Sequence, residues 1–143
     1  MSGAPGAGMC RSSADVTDYG TGYRTLVGFD TIVCVAPPLR VSLKDQAIIV
    51  PVDGWCACSA RANLSSTLSG YLALYVNEVR ADGSDGSSVR STVTSVITSR
   101  CEVSGGMYVR AGSMLQLVAY TPDARHFIGD AEGDTYNLRV ALL

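Results

Sequence analysis

Residues 70–79, Gly-Tyr-Leu-Ala-Leu-Tyr-Val-Asn-Glu-Val, constrain the chain more than any other stretch. Leu72, Leu74 and Val76 alternate with Tyr71, Ala73 and Tyr75. A period of two puts these sets on opposite faces of a β-strand. Neither face is polar, so such a strand needs cover on both sides. Short runs rich in Val, Ile, Leu, Tyr and Thr recur at 25–35, 47–50, 55–62, 88–100, 107–110, 114–120 and 135–143. Between them lie turn formers: Pro37-Pro38, Asp53-Gly54, Asp82-Gly83-Ser84-Asp85-Gly86, Gly105-Gly106, Ala111-Gly112 and Thr121-Pro122-Asp123. Each of these favours a chain reversal. With no helical period, internal repeat or heptad seam, the pattern predicts an all-β, two-sheet antiparallel sandwich of the jelly-roll kind.

Composition narrows what such a fold can do. The 143 residues have the length of one domain, and 47% hydrophobic content supplies a core that a disordered chain lacks. Only 17% of residues are charged and the formal net charge is −2. No basic stripe is present to neutralise phosphates, so nucleic acid is not an expected partner. So little charge implies surface hidden against other chains. The apolar run 47–52 is far shorter than the roughly 18 residues of a membrane span, and Pro51 interrupts it, so no membrane is expected either. The first nine residues lack a basic start and apolar centre. The expectation is a chain kept in the cytosol or leaving it inside a larger assembly. Residues 1–20, rich in Gly, Ala and Ser, read as a flexible N-terminal arm, and residues 21–143 as the jelly-roll domain.

The chemistry-bearing residues are few. Five cysteines, Cys10, Cys34, Cys56, Cys58 and Cys101, show no paired C-x-x-C spacing and read as reduced, small apolar residues of the core or an interface. Cys56 and Cys58 would share a strand face, a geometry that could serve a metal clip, yet no second half accompanies them. His126 sits in a turn-rich stretch with Asp123, without a nucleophile elbow. Asp82 and Asp85, and the run Asp130, Glu132 and Asp134, read as solvated turns, although either loop could hold a cation. No catalytic residue, cofactor or metal is expected.

Four runs also stand in a recognisable order: Ile49-Val50-Pro51-Val52-Asp53-Gly54-Trp55, Leu72-Ala73-Leu74-Tyr75-Val76-Asn77, Tyr108-Val109-Arg110-Ala111-Gly112-Ser113-Met114-Leu115-Gln116-Leu117, and the terminal 135–143. Over residues 25–143 the chain resembles the jelly roll shared by tumour necrosis factor ligands and complement globular heads, of the kind also found in bacteriophage virion proteins. It departs from that pattern at Glu78, where a glycine often follows Asn77, and at Ser113, where an aspartate is frequent. The turns at those points are expected to differ.

The resemblance implies a homotrimer with one sheet face against its neighbours. The residues expected to form that interface are Tyr71, Ala73, Tyr75, Leu117 and Tyr120. The functional expectation is a structural virion protein: a trimeric capsid decoration, or cement, protein on the head of a tailed bacteriophage. It would be assembled in the host cytoplasm and bound to the major capsid protein or another virion protein. The arm, through Pro5, Met9, Arg11 and Tyr19, is expected to contact that partner. The alternative is a receptor- or carbohydrate-binding module of a phage tail fibre or similar trimeric adhesin, acting through its outer loops.

Overall fold

Alternation becomes packing in the computed structural model, which describes residues 5–13, 16–19, 22–63, 68–98, 101–121, 125–128 and 132–143. In chain order the strands are β1 (Gly6–Cys10), β2 (Val16–Tyr19), β3 (Gly22–Thr25), β4 (Thr31–Val35), β5 (Arg40–Ser42), β6 (Ala47–Val50), β7 (Gly54–Ala62), β8 (Leu68–Val79), β9 (Ser88–Thr98), β10 (Glu102–Val109), β11 (Ser113–Thr121), β12 (Arg125–Ile128) and β13 (Tyr136–Leu142). There is no helix among the described residues. The first sheet runs β10-β7-β13-β1-β4 and the second β5-β6-β11-β8-β9, with β3 also paired to β11. A ribbon of β2 and β12 stands apart. All pairings are antiparallel. The fold class predicted from alternation is the one observed.

Every second residue points between the sheets. Cys56, Cys58, Ala60 and Ala62 of β7, Val103, Met107 and Val109 of β10, and Tyr136, Leu138 and Val140 of β13 form one side of the core. Leu74 and Val76 of β8 and Leu115, Leu117 and Ala119 of β11 form the other. Each fully buried Leu in this layer is worth about 1.5–3 kcal/mol relative to exposure. Tyr136 fills the centre, packs edge-on against Phe29 at 5.1 Å, and donates its hydroxyl to the Val27 carbonyl. The loop between β3 and β4 is thereby fixed to the core. That loop also splits the single strand expected over 25–35, because Gly28 adopts φ 94°.

The expected N-terminal arm is corrected by the structure. Residues 6–10 are an interior strand, paired with β13 on one side and β4 on the other. Ala7, Met9 and Cys10 are buried, Met9 completely. Gly-Ala-Gly-Met-Cys carries almost no apolar period, so it reads as linker, yet small residues suit a strand flanked on both sides. Met9 therefore belongs to the core and cannot reach a partner. Arg11 donates to the Gly28 carbonyl at 3.1 Å, and the Pro5 carbonyl accepts from the Leu142 amide at 2.8 Å. Tyr19 lies on β2, opposite Arg125 of β12. The jelly roll begins at β1 rather than at residue 21, and residues 1–4 lie outside the described residues.

At one end of the sandwich a single buried carboxylate ties two turns together. Glu78 has no exposed side-chain surface. One of its oxygens accepts from the Ser87 amide at 2.9 Å and faces Arg80 Nε at 3.2 Å. The other accepts from the Arg110 amide and the Ser113 hydroxyl, each at 2.8 Å. The two departures from the family pattern are thus partners of one another. Gly86 completes the turn, because a Cβ there would overlap the Glu78 carbonyl oxygen.

Burial by itself raises the Glu78 pKa, but the hydrogen bonds from Ser87, Arg110 and Ser113, with the Arg80 charge, hold it below its ordinary value of 4.5. The sign follows directly: a carboxylate depressed in the folded state contributes stability above its unfolded value and loses it as pH falls through the folded one. Glu78→Gln is expected to cost about 1–3 kcal/mol at neutral pH by leaving buried donors unmatched. It should also flatten the loss of stability seen on acidification below pH 4.5. Urea melts across that range check both outcomes. An unchanged midpoint at neutral pH would contradict the assignment.

Candidate functional site

Three tyrosines from three strands meet on the outward face of the second sheet. The β11–β8 register sets Val118 opposite Tyr75 and Tyr120 opposite Ala73, while the β11–β3 register sets Tyr120 opposite Tyr23. The Tyr23 ring lies 4.7 Å from Tyr120 and 5.8 Å from Tyr75, in tilted arrangements. Such offsets are the favoured geometry for aromatic pairs. The Arg90 guanidinium sits 5.6 Å from the Tyr75 ring centre, within cation–π range. Tyr23 is 67% exposed, while Val118 and Ala73, the cross-strand neighbours of Tyr75 and Tyr120, are buried. The result is a tyrosine cluster over an apolar base, with Tyr23 exposed and Tyr75 and Tyr120 half-buried.

Of the expected interface residues, Tyr75, Tyr120 and Ala73 are together on this face. Leu117 is not: it is fully buried in the core between the sheets. Leu117 and Tyr120 are an odd number of positions apart on one strand, so they point to opposite faces. The side chain of Tyr71 lies outside the described residues. Tyr23 carries no local signal for its place, because only the long-range β3–β11 pairing brings it there.

The first sheet presents a different outward face. Trp55, on a strand whose alternate residues enter the core, is 59% exposed and meets the 45%-exposed Tyr108 edge-on at 5.9 Å. Residues 55, 57, 59 and 61 of β7 are the outward set, and 56, 58, 60 and 62 the buried one. Tyr136, by contrast, is completely buried, so it is unavailable to a ligand.

Candidate metal and nucleophile residues have been put to structural use or kept apart. Cys56 and Cys58 share a face as the spacing requires, but that face is the core. Burial, with the neighbouring Cys56, pushes the Cys58 thiol up to about 12, and burial does the same for Cys101. Burial first and the Glu78 charge second raise Cys56. Thiolates at these positions are disfavoured as ligands or nucleophiles. The Asp82 carboxylate is held by the Ser84 amide at 2.9 Å and the Ser84 hydroxyl at 2.6 Å, so it closes its own turn. Glu132 and Asp134 are exposed, His126 lies on β12, and Asp130 is outside the described residues. Among the described residues, no three His, Cys, Asp or Glu side chains converge as a metal site would require.

No protein-family model matches the sequence, and no curated protein matches it either. Among solved structures the chain is similar to a TNF, Eiger from S. frugiperda, with a TM-score of 0.73 at 11% identity. That likeness covers 99% of this chain and 94% of the other. The fold is thus a TNF-like jelly roll.

The thiol geometry makes a quantitative prediction. Native protein should react with a thiol reagent at one site per chain, the exposed Cys34, and denatured protein at all five cysteines. Rapid labelling of more than one thiol under native conditions would contradict the burial described.

Proposed function

We propose that the chain is a non-catalytic structural subunit that associates as a homotrimer and decorates the outer head surface of a tailed bacteriophage, held by the major capsid protein or another virion protein. The observation that carries self-association is the cluster of exposed Tyr23 with half-buried Tyr75 and Tyr120, over buried Ala73 and Val118. Burying aromatic area of this kind in a cyclic oligomer gains roughly 25 cal/mol per Å². The TNF-like fold supports three-fold symmetry, because such folds commonly form homotrimers.

With β1 built into the sheet, attachment to a particle falls to another surface. Strand β4 is the outermost of the first sheet, and Ile32, Val33 and Val35 on it are 47%, 45% and 50% exposed. An apolar edge with unpaired main-chain groups is a template for a partner strand. Trimerisation would multiply a modest single-edge affinity through effective concentration. A second reading, a receptor- or carbohydrate-binding module of a tail fibre or similar adhesin, is favoured by the exposed Trp55–Tyr108 pair.

Co-sedimentation with phage heads lacking the protein tests the first reading. The wild type is expected to saturate at a fixed copy number, and Val33→Lys to remain trimeric while attaching at least tenfold more weakly. Tyr75→Asp is expected to sediment as a single folded chain. A trimer formed normally by Tyr75→Asp would refute the interface, and a wild type that ignores such particles would refute decoration.

A further inference from the structure

Beyond the tyrosine face and the β4 edge, the outward face of the first sheet is laid out in rows. Strand register places Tyr108, Trp55 and Leu143 in one row, since Tyr108 pairs with Trp55 and the Leu143 amide donates to the Trp55 carbonyl. Gly106, Ala57, Ala141 and Gly6 form the next. Ser104, Ser59, Arg139 and Gly8 follow, and then Glu102, Arg61 and Asn137. The face is aromatic at one end, smooth in the middle, and polar and charged at the other.

Two depressions line this face and merge. One, of about 510 Å³, is lined by Arg61, Arg139, Glu102, Asp134, Ser59 and Ser104, and reaches Arg90 on β9 of the other sheet. The other, of about 330 Å³, is floored by Gly6, Ala57 and Ala141. Ser59 and Arg139 belong to both, so the two form one trough. Their sizes are those of small-ligand sites. Arg61 and Arg139 stand here with two carboxylates, Glu102 and Asp134, while the Arg90 guanidinium lies over the Tyr75 ring of the other sheet. Arg61 is engaged with Glu102 and donates to the Asp134 carbonyl. Arg139 is exposed and has no ion-pair partner among the described residues.

We propose that this trough binds a carboxylate-bearing oligosaccharide. Beyond the depressions, in the row next to Ala57, Trp55 and Tyr108 offer ring faces and edges on which the apolar side of a sugar can stack, as flat aromatic surfaces do with other ring ligands. Ser59 and Ser104 supply short hydroxyl partners for sugar hydroxyls, and Arg139 supplies the planar fork that matches a carboxylate. From Trp55 to Ser59 the strand advances about 13 Å, a span for several linked rings rather than one. A peptide is the poorer fit. Strand β7 is already paired on both sides, by β10 and β13, so it offers no free main-chain edge, and the glycine and alanine floor holds no deep pocket for an anchoring side chain.

Isothermal titration calorimetry of the intact protein with tetragalacturonate and with a hyaluronan tetrasaccharide tests the assignment, with neutral cellotetraose as the control. At least one acidic probe should bind saturably and lose affinity as salt rises, while cellotetraose should bind at least tenfold more weakly. Arg139→Ala and Trp55→Ala, both at exposed positions, should each reduce the affinity at least tenfold with native mass and melting temperature unchanged. The proposal is overturned if neither acidic probe binds at millimolar concentration, or if binding survives both substitutions. It is also overturned if Trp55→Ala alters the native mass, because the face would then be a contact between copies. Native mass is read independently, so loss of sugar binding leaves the trimer standing, and loss of the trimer leaves the trough to be judged by its own titration.

Discussion

The two sheets are held together by one layer of interdigitated apolar side chains, and what this molecule shows to the outside follows from what that layer excludes. Leu74, Val76, Leu115 and Leu117 enter it from the second sheet, and Met9, Tyr136, Leu138 and Val140 from the first. Because a strand alternates its faces, filling the inner layer fixes the outward residues: Tyr75, Val118 and Tyr120 on one side, Trp55, Ser59 and Arg139 on the other. An ordinary sandwich would make both outer faces uniformly polar. Here each retains aromatic surface, and in each case the aromatics sit at a cross-strand position where two or three rings meet.

Much of this was legible in the sequence, and the failures have definite causes. The alternation in 70–79 and 114–120 gives β8 and β11 and the parity that separates Leu74 from Tyr75. The same parity excludes Leu117 from the tyrosine face, so the rule that pointed to that face also removes Leu117 from it. Strand β1 was hidden because Gly6, Ala7 and Gly8 carry no periodic apolar signal, and burial between β13 and β4 is a tertiary fact. Trp55 occupies the outward phase of β7, whose inward phase is supplied by cysteines and alanines that carry little apolar periodicity. Tyr23 and the arginines of the trough are brought together by strand pairing over long sequence separations, which no local pattern encodes.

The Glu78 network illustrates how a departure from a family pattern can be absorbed. A carboxylate where glycine is common would be costly in a buried turn unless each lone pair found a donor. The Ser87 and Arg110 amides and the Ser113 hydroxyl provide donors and Arg80 a neighbouring charge, and Ser113 is itself the second departure. The two turns at that end are thereby fixed to each other without a metal ligand or a disulfide. A similar economy holds at the other end, where Asp30 accepts from the Ser12 amide and hydroxyl and from Thr31, tying the exit of β1 to the start of β4.

In the proposed homotrimer the tyrosine-bearing face is covered by other copies of this chain. Native mass by size-exclusion chromatography with light scattering, across a micromolar concentration series of the unmodified protein, tests it most directly. A concentration-independent mass of three chains, each of 15.0 kDa, is expected. A stable mass of one chain throughout the series would contradict it, and would mean that Tyr23 stays open to solvent in the free protein.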